Sequence, residues 1–130
     1  MASVFTKIIN GDIPCYKIAE TEDCFAFLDI RPMAEGHTLC VPKQETDYIF
    51  DLEEKLLSKL TVFAKRVAKA LEQETECMRV GMLVVGTEVP HAHIHLIPFQ
   101  NEGQMNLRSK PVKMSKEELT DLAKRVAAHL

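Results

Sequence analysis

The sequence predicts an α+β fold, a five-stranded antiparallel sheet with one long helix and a C-terminal helix. Five short apolar runs predict the strands, and two longer runs with apolar residues three and four positions apart predict the helices. The order of the strands along the chain favours antiparallel pairing. A chain of 130 residues suits one compact core, so we expect residues 1–130 to form a single domain.

Residues typical of turns bound the expected strands. The strands cover residues 15–20, 24–29, 37–41, 79–85 and 90–98. The first two form a hairpin around the polar residues 21–23 and follow a turn at residues 11–14. Pro42 is expected to end the third strand, because its ring nitrogen has no hydrogen for the strand ladder.

Both helices carry a capping-box pattern and an apolar stripe. Asp51 and Glu54 form the pattern at the start of the long helix, and Ser115 and Glu118 repeat it at the start of the last helix. The stripes consist of Leu52, Leu56, Leu60, Phe63, Val67 and Leu71 in the first helix and Leu119, Leu122, Val126 and Leu130 in the second. Such stripes indicate helices with one buried face.

A polar segment over residues 100–114 separates the last strand from the last helix. Loops of this length within a compact domain are usually functional or disordered. Because the segment directly follows the histidine-rich strand, we expect it to lie over or beside the mouth of any site that the histidines form.

Composition excludes several classes of partner. The net charge of −3 is spread along the chain, and no Lys/Arg run predicts binding to a nucleic-acid polymer. No apolar run approaches the ~18 residues of a membrane span. The four cysteines are widely separated and form no C-x-x-C pair, which predicts reduced, mostly buried thiols and a cytoplasmic location.

Three of the five histidines alternate in one short run, Pro90-His91-Ala92-His93-Ile94-His95-Leu96-Ile97-Pro98. Side chains of a strand point to opposite faces in turn. A strand here therefore places the three imidazoles on one face and Ala92, Ile94 and Leu96 on the other.

Three interpretations of this run are open. The histidines are structural, or two adjacent ones bind a metal with a ligand from elsewhere, or they form a nucleophilic, anion-handling site. Imidazole titrates near neutrality, so neutral and protonated members can share one cluster. We favour the third interpretation, because that mixture suits a nucleophile beside phosphate-binding and proton-donating neighbours.

The run His91–Ile97 matches the H-φ-H-φ-H-φ-φ signature and resembles the histidine triad superfamily of nucleotidyl hydrolases and transferases. Three more segments resemble the same family in the same order: residues 5–14, 26–32 and 36–43. The resemblance covers residues 4–99. The tail over residues 100–130 looks like that of the longer bacterial-type members.

The resemblance implies a mechanism. His93 is expected to attack the α-phosphate of a nucleotide and become a covalent nucleotidyl-histidine, from which water releases a nucleoside monophosphate such as AMP. His91 and His95 would flank the phosphate, and His37 would support them from the neighbouring strand. A histidine with a pKa near its ordinary value of ~6.5 would protonate the leaving group. No cofactor is implied.

The same resemblance assigns a nucleotide pocket. Asp29 is expected to accept hydrogen bonds from both ribose hydroxyls, or else to cap a turn. The expected apolar contacts of the base are Phe5, Ile8, Phe27, Leu28 and Ile30, which could equally be core residues. Walls of this kind imply only a loose preference for purines.

The chain departs from the family pattern just before the triad. Thr87 takes the place of a phosphate-contacting glutamine, and its hydroxyl could still donate to a phosphate oxygen. Glu88 takes the place of a serine near the leaving group, where a carboxylate would repel a polyphosphate and suit a cationic amine.

A second departure concerns zinc. Ser3, Thr6 and Glu45 stand at positions where a zinc-binding branch of the family has metal ligands, and only His91 of that set remains. One good ligand does not hold tetrahedral zinc, so we expect no structural metal.

The resemblance favours a hydrolase of nucleoside phosphoramidates or related nucleotide conjugates. One alternative is a dinucleoside polyphosphate (Ap4A-type) hydrolase. An alternative of another class is a non-catalytic nucleotide-sensing or scaffolding dimer. A homodimer is expected in each case, joined through the long helix and the strand beside it.

Overall fold

The computed structural model describes residues 2–130 and consists of three α-helices and five strands. The helices are α1 (Val4–Ile9), α2 (Glu54–Glu74) and α3 (Lys116–Ala127). The strands are β1 (Lys17–Glu20), β2 (Cys24–Leu28), β3 (Thr38–Pro42), β4 (Arg79–Leu83) and β5 (Ile94–Phe99). Short 3-10 helices cover Ile49–Asp51 and Glu102–Met105.

The strands form one antiparallel sheet in the order β1-β2-β3-β5-β4. The predicted α+β fold with a five-stranded antiparallel sheet is therefore confirmed. In the register of β3 and β5, Leu39 lies opposite His95. Pro42 is the last residue of β3 rather than the first residue after it.

The two faces of the sheet have different roles. Helices α2 and α3 cover one face, and their buried side chains form the main core with Ala26, Cys40, Ile94 and Leu96. On the other face, Phe5 of α1 packs against the alternate residues of β2 and β3. Because alternate residues point to opposite faces, His95 shares this second face.

The histidine run is not the continuous strand that the sequence predicts. Strand β5 begins at Ile94, so only His95 lies within it. The amide of His91 donates to the Val89 carbonyl at 2.8 Å and the amide of Ala92 donates to the Thr46 carbonyl at 2.7 Å, instead of to a strand ladder. The alternation of faces survives, because Ala92, Ile94 and Leu96 all lie in the main core.

The start of α2 also differs from the prediction. The helix begins at Glu54, and Glu53 is its N-cap without a side-chain hydrogen bond. Asp51 ends a 3-10 turn in which its amide donates to the Tyr48 carbonyl at 2.9 Å. The capping box predicted at Asp51 is therefore wrong, because this turn displaces the residue from the helix end.

The capping box of α3 is confirmed. The Ser115 hydroxyl accepts the Glu118 amide at 3.1 Å, and the Glu118 carboxylate accepts the Ser115 amide at 2.9 Å. Leu119, Leu122 and Val126 are buried, whereas Leu130 lies beyond the helix and is 52% exposed. Leu130 is therefore not part of the buried stripe.

The segment between β5 and α3 lies on the same face as His95. Met105 and Leu107 pack against Ile97, Met33 and Ala34. The Val112 amide also donates to the Pro32 carbonyl at 2.8 Å. The segment is thus fixed beside the loop that leads to His37, in agreement with the predicted position beside the histidines.

Two further expectations concern membranes and thiols. Within residues 2–130, no helix combines the length and apolar character that a membrane crossing requires. Cys15, Cys24, Cys40 and Cys77 are all free thiols; Cys24 and Cys40 are buried and the other two are half-buried.

Leu122→Ala should lower the free energy of unfolding by about 2–5 kcal/mol, because the side chain is fully buried between α3, α2 and the sheet. Urea titration followed by circular dichroism measures this loss. Leu130→Ala, at an exposed site, is the matched control and should cost less than about 0.5 kcal/mol. Equal losses would show that α3 does not complete the core.

Candidate active site

Four histidines meet on the sheet face that α2 and α3 leave uncovered. His95 lies on β5, His91 and His93 lie in the segment before it, and His37 directly precedes β3. All four side chains are buried. The ring centroid of His95 lies 4.9 Å from that of His93 and 5.2 Å from that of His37. The predicted catalytic histidines are thus brought together.

Backbone hydrogen bonding fixes the proton positions on His37 and His95. The Met33 amide donates to Nδ1 of His37 at 3.0 Å, so this nitrogen carries no proton. In neutral His37 the proton is therefore on Nε2, which donates to Nδ1 of His95 at 3.0 Å. His95 is left with its own proton on Nε2.

Burial keeps these two imidazoles neutral. It lowers the pKa of His37 to about 4, and burial together with the neighbouring His93 and His37 lowers the pKa of His95 to about 4. Neither residue therefore has the pKa near 6.5 that the sequence suggested for a proton donor. Desolvation, which disfavours the charged form, is the physical reason.

A carbonyl fixes the tautomer of His93. Its Nδ1 lies 2.8 Å from the His91 carbonyl oxygen, which only accepts, so Nδ1 carries the proton. Nε2 of neutral His93 then has a free lone pair. Burial lowers the pKa of His93 from its ordinary value, so the ring is neutral at pH 7.

His91 is held at both ring nitrogens. Nε2 donates to the Pro42 carbonyl at 2.7 Å, and Nδ1 lies 2.7 Å from the Ser3 hydroxyl. A ring fixed in this way cannot rotate without breaking two buried hydrogen bonds. The part of His91 that contacts His93 is its backbone carbonyl, which accepts the hydrogen bond from Nδ1–H of His93.

Aromatic side chains form the wall beside the histidines. The Phe5 ring lies edge-on to His93 and Phe27, with centroid distances of 5.0 and 5.5 Å. Ile8 is half-buried against the same group, and Ile30 is 72% exposed at the start of the next loop. Phe5, Phe27 and Ile8 thus form one apolar cluster beside His93.

Leu28 does not belong to this wall. Its side chain points to the opposite face of the sheet and is buried in the main core under α2 and α3. The expectation that Leu28 contacts the base is therefore wrong. The reason is strand alternation, since its neighbour Phe27 takes the histidine face.

Asp29 follows β2 and lies at the edge of the histidine cluster. Its Oδ1 accepts the Arg31 amide at 2.8 Å, so the expected turn-capping role is present. Its Oδ2 lies 3.6 Å from Nε2 of His37. Burial raises the pKa of this carboxyl above its ordinary value, against the opposing effect of the Arg31 amide.

Thr87 and Glu88 lie in the loop between β4 and His91, and both side chains are exposed. The loop approaches His93 at Gly86, which has a left-handed φ of +67°. A Cβ added at Gly86 would lie 3.6 Å from Cε1 of His93. That distance is an ordinary van der Waals contact, so the left-handed φ, and not a lack of space, is the reason that this position favours glycine.

Asp29, His37 and His95 have ligand-type atoms within 4.8 Å of one another. They do not fit a metal ion well, however. The Met33 amide occupies Nδ1 of His37, so a metal on Nε2 would require His37 to lose its last ring proton. The hydrogen bond from Nε2 of His37 to Nδ1 of His95, in contrast, keeps that proton on the ring.

The residues at the zinc positions of the family meet in space but do not fit zinc. Ser3 and Thr6 lie against His91, and both donate to the Glu45 carboxylate. Zinc prefers thiolate, imidazole and carboxylate ligands. Besides His91 and Glu45 the group offers only two hydroxyls, which makes it a poor tetrahedral site.

Sequence reasoning missed the backbone groups that orient the histidines, namely the Met33 amide and the Pro42 and Thr46 carbonyls. No side-chain pattern reports them. It also missed that Ser3 caps α1, although a serine before a short apolar run is a helix-start signal.

Comparison with known proteins agrees with this geometry. The family model described as "HIT domain" matches residues 10–102. The chain is 40% identical over 102 residues to the adenosine 5'-monophosphoramidase HNT1 of Saccharomyces cerevisiae. This alignment covers 78% of the chain and 65% of that relative, so the chain spans slightly less than two thirds of the relative's length.

Solved structures show the same fold along the whole chain. A Hit-like protein of Bartonella henselae involved in cell-cycle regulation has a TM-score of 0.84 at 27% identity, covering 98% of this chain and 96% of its own. A zinc-bound histidine triad family protein of Mycobacterium smegmatis has a TM-score of 0.82 at 26% identity, covering 99% and 93%. The sequence match, the four buried histidines and the shared fold lead to one conclusion: this chain belongs to the HIT domain family.

Proposed function

We propose that this protein is a nucleotidyl hydrolase that cleaves nucleoside phosphoramidates or related conjugates at the α-phosphate and releases a nucleoside monophosphate such as AMP. Membership of the HIT family and the phosphoramidase relative support hydrolysis of a nucleotide. The observation that carries the proposal is the hydrogen bond from Nδ1 of His93 to the His91 carbonyl. It leaves Nε2 of a neutral imidazole free to act as a nucleophile.

The proposed reaction is a double displacement. Nε2 of His93 attacks the α-phosphorus, and an N–P bond forms as the bond to the leaving nitrogen breaks. Water then attacks the phosphorus and gives a proton to Nε2 of His95, which lost its own to the leaving nitrogen; the bond to His93 breaks, and the nucleoside monophosphate leaves. The His91 carbonyl keeps accepting from Nδ1 while the ring is positively charged in the intermediate, where this hydrogen bond is strongest.

His95 is the proposed proton donor to the leaving nitrogen. In the free site its pKa is about 4, so it is neutral. A bound phosphate brings negative charge next to the ring, which favours the protonated form. The protonated ring carries its second proton on Nδ1, so the hydrogen bond from His37 is given up, and Nε2 is the nitrogen that passes its proton to the leaving nitrogen.

The nucleoside part is proposed to bind between Asp29 and the aromatic wall of Phe5 and Phe27. Oδ2 of Asp29 is not used by the turn and lies at the histidine cluster, which suits an acceptor for ribose hydroxyls. Ile8 and Ile30 extend the apolar surface. Flat apolar walls offer stacking area, and a purine is the proposed base.

The leaving group is proposed to be an amine rather than a polyphosphate. Glu88 is an exposed carboxylate in the loop that approaches His93 at Gly86, and a polyanionic leaving group would be repelled there. Thr87 is the proposed donor to a phosphate oxygen. Hydrolysis of dinucleoside polyphosphates, or nucleotide binding without turnover, remain as outcomes of the substrate test.

A homodimer is proposed through the edge of the sheet formed by β4. Among the described residues 2–130, β4 pairs only with β5, so its other edge is open. Met82 and Val85 beside this edge are 50% and 58% exposed. The stripe over residues 52–71, in contrast, is mostly buried within the chain, so it does not support the dimer as the sequence suggested.

The four free thiols are compatible with a reducing compartment. The cytoplasm is therefore the proposed location.

His93→Ala should lower kcat at least about a thousandfold while binding of AMP stays nearly unchanged, because only the covalent step loses its nucleophile. Steady-state assays should compare an AMP–lysine phosphoramidate with a diadenosine polyphosphate. His129→Ala, at a remote partly exposed histidine, is the control and should keep full activity. Mass spectrometry of quenched wild type should show a nucleotide on His93, labile in acid and stable in base. Near-normal turnover by His93→Ala would contradict the nucleophile role.

Asp29→Asn should weaken binding of AMP by about 1.5–3 kcal/mol, because a carboxylate that accepts hydroxyl donors is replaced by a neutral amide. Asparagine still offers an oxygen to the Arg31 amide, so the turn is preserved. Calorimetry with AMP and with its 2′,3′-dideoxy analogue separates the two roles. An equal loss for both ligands would show that Asp29 is structural only.

Met82→Lys should convert the proposed dimer into monomers, because it places a charge beside the open edge of β4. Light scattering at tens of micromolar measures the mass. Val112→Lys changes a similarly exposed valine in the segment before α3 and should leave the dimer intact. A monomeric wild type would rule the dimer out.

A further inference from the structure

A second hydrogen-bonded group lies behind the histidines, where α1 meets the segment after β3. It consists of Ser3, Thr6, Glu45 and His91, which we call the Ser3–Glu45 cluster. The Ser3 amide and the Thr6 hydroxyl both donate to Oε1 of Glu45, at 2.6 and 2.7 Å. The Ser3 hydroxyl lies 2.7 Å from Nδ1 of His91. The cluster therefore links an exposed carboxylate to a fully buried imidazole.

The direction of each hydrogen bond in the cluster follows from its fixed members. Nε2 of His91 must donate to the Pro42 carbonyl, so Nδ1 of the neutral ring accepts the proton of the Ser3 hydroxyl. The Ser3 oxygen in turn accepts the Thr6 amide at 3.1 Å as the N-cap of α1. One hydroxyl thus caps the helix and holds the imidazole.

The segment that carries Glu45 also holds the peptide group between His91 and Ala92. The Ala92 amide donates to the Thr46 carbonyl at 2.7 Å. The carbonyl of the same peptide accepts Nδ1 of His93 at 2.8 Å. Because a peptide group is planar, fixing the direction of its N–H also fixes the direction of its C=O.

Residues 45 and 46 therefore make two attachments. Glu45 holds α1 through its side chain, and Thr46 holds the peptide through its backbone. The two hydrogen bonds from Ser3 and Thr6 lower the pKa of Glu45 to about 2, so the carboxylate is an acceptor at every working pH. The position of α1 is thereby tied to the His91 carbonyl, which orients the His93 ring.

We propose that Ser3, Thr6 and Glu45 are positioning residues, which hold His91 so that its carbonyl keeps the proton of His93 on Nδ1 and leaves Nε2 free. Two of the positions that match the zinc ligands of the family carry hydroxyls in this chain, and hydroxyls are poor zinc ligands. Hydrogen bonds join α1 to His91 at these positions instead. The effect of these residues on turnover rests on the proposed function, whereas their effect on the position of the His93 proton is independent of it.

Glu45→Ala and Ser3→Ala remove the two ends of the chain of hydrogen bonds. Glu20→Ala is the matched control. Glu20 is likewise a carboxylate with two short hydrogen bonds, from Lys17 and Lys43 at 2.6 Å each, and its pKa is also about 2. It lies at the end of β1, and its carboxylate accepts from Lys17 and Lys43.

The first measurement is ¹⁵N NMR of protein with labelled histidine, which reports which ring nitrogen of His93 is protonated. Wild type and Glu20→Ala should show the Nδ1–H form alone. Glu45→Ala and Ser3→Ala should add a population with the proton on Nε2. Glu45→Gln keeps an acceptor oxygen for both donors and should restore the wild-type spectrum. Unchanged His93 signals in both alanine variants would overturn the proposal.

The second measurement compares the effect of each variant on kcat with its effect on KM. In the two alanine variants kcat should fall about tenfold while KM changes less than twofold, because the nucleophile is misdirected and the nucleotide pocket is kept. A lower kcat with an unchanged tautomer would also overturn the proposal. If Glu45→Ala does not fold, as judged by circular dichroism, Ser3→Ala decides. If wild type hydrolyses no nucleotide conjugate, the proposed function fails and the NMR result still stands.

Discussion

Two backbone groups determine the direction of every hydrogen bond among the clustered histidines. The Met33 amide only donates and the His91 carbonyl only accepts, so each forces the proton of its imidazole partner onto one nitrogen. Nε2 of His37 then donates to Nδ1 of His95, and the proton of neutral His95 lies on its own Nε2. His93 is left with a free lone pair on Nε2. Because the main chain sets these directions, rotation of a side chain cannot reverse them.

Burial makes such fixed directions necessary. Imidazoles withdrawn from water lose the hydrogen bonds that solvent would supply, and an unpaired buried polar atom is costly. Within residues 2–130, every buried side-chain nitrogen and oxygen has a hydrogen-bond partner. The same burial lowers the pKa of His37, His93 and His95. A neutral cluster in which the fully buried nitrogens are hydrogen-bonded and Nε2 of His93 stays free is the arrangement that satisfies both constraints.

The sequence predicted the residues of the site better than their surroundings. The spacing of His91, His93 and His95 predicted a shared face, and the structure keeps that alternation although only His95 lies within a strand. Leu28 was misplaced because a motif does not state which side of a strand each residue takes. The capping box at Asp51 failed because a tertiary 3-10 turn overrode a local pattern.

What the sequence could not supply was the role of the main chain. The Met33 amide, the Pro42 carbonyl and the Thr46 carbonyl act through atoms that every residue has, so no residue type marks them. The pKa values differed from expectation for a related reason. A histidine triad suggests groups that titrate near pH 6.5, but the degree of burial that lowers the pKa of His95 depends on packing around the whole cluster.

A neutral cluster also bears on how the proposed reaction would be ordered. With the pKa of His95 at about 4 in the free site, a ready proton donor is absent before the substrate binds. An anionic phosphate next to the ring would raise that pKa, and the proton would then be taken up at Nδ1 together with the nucleotide, in place of the hydrogen bond from His37. The lone pair of His93 is meanwhile kept free by a carbonyl that carries no net charge and does not titrate. In the proposed reaction the nucleophile would thus be prepared by the fold itself, and the acid would be prepared by the substrate.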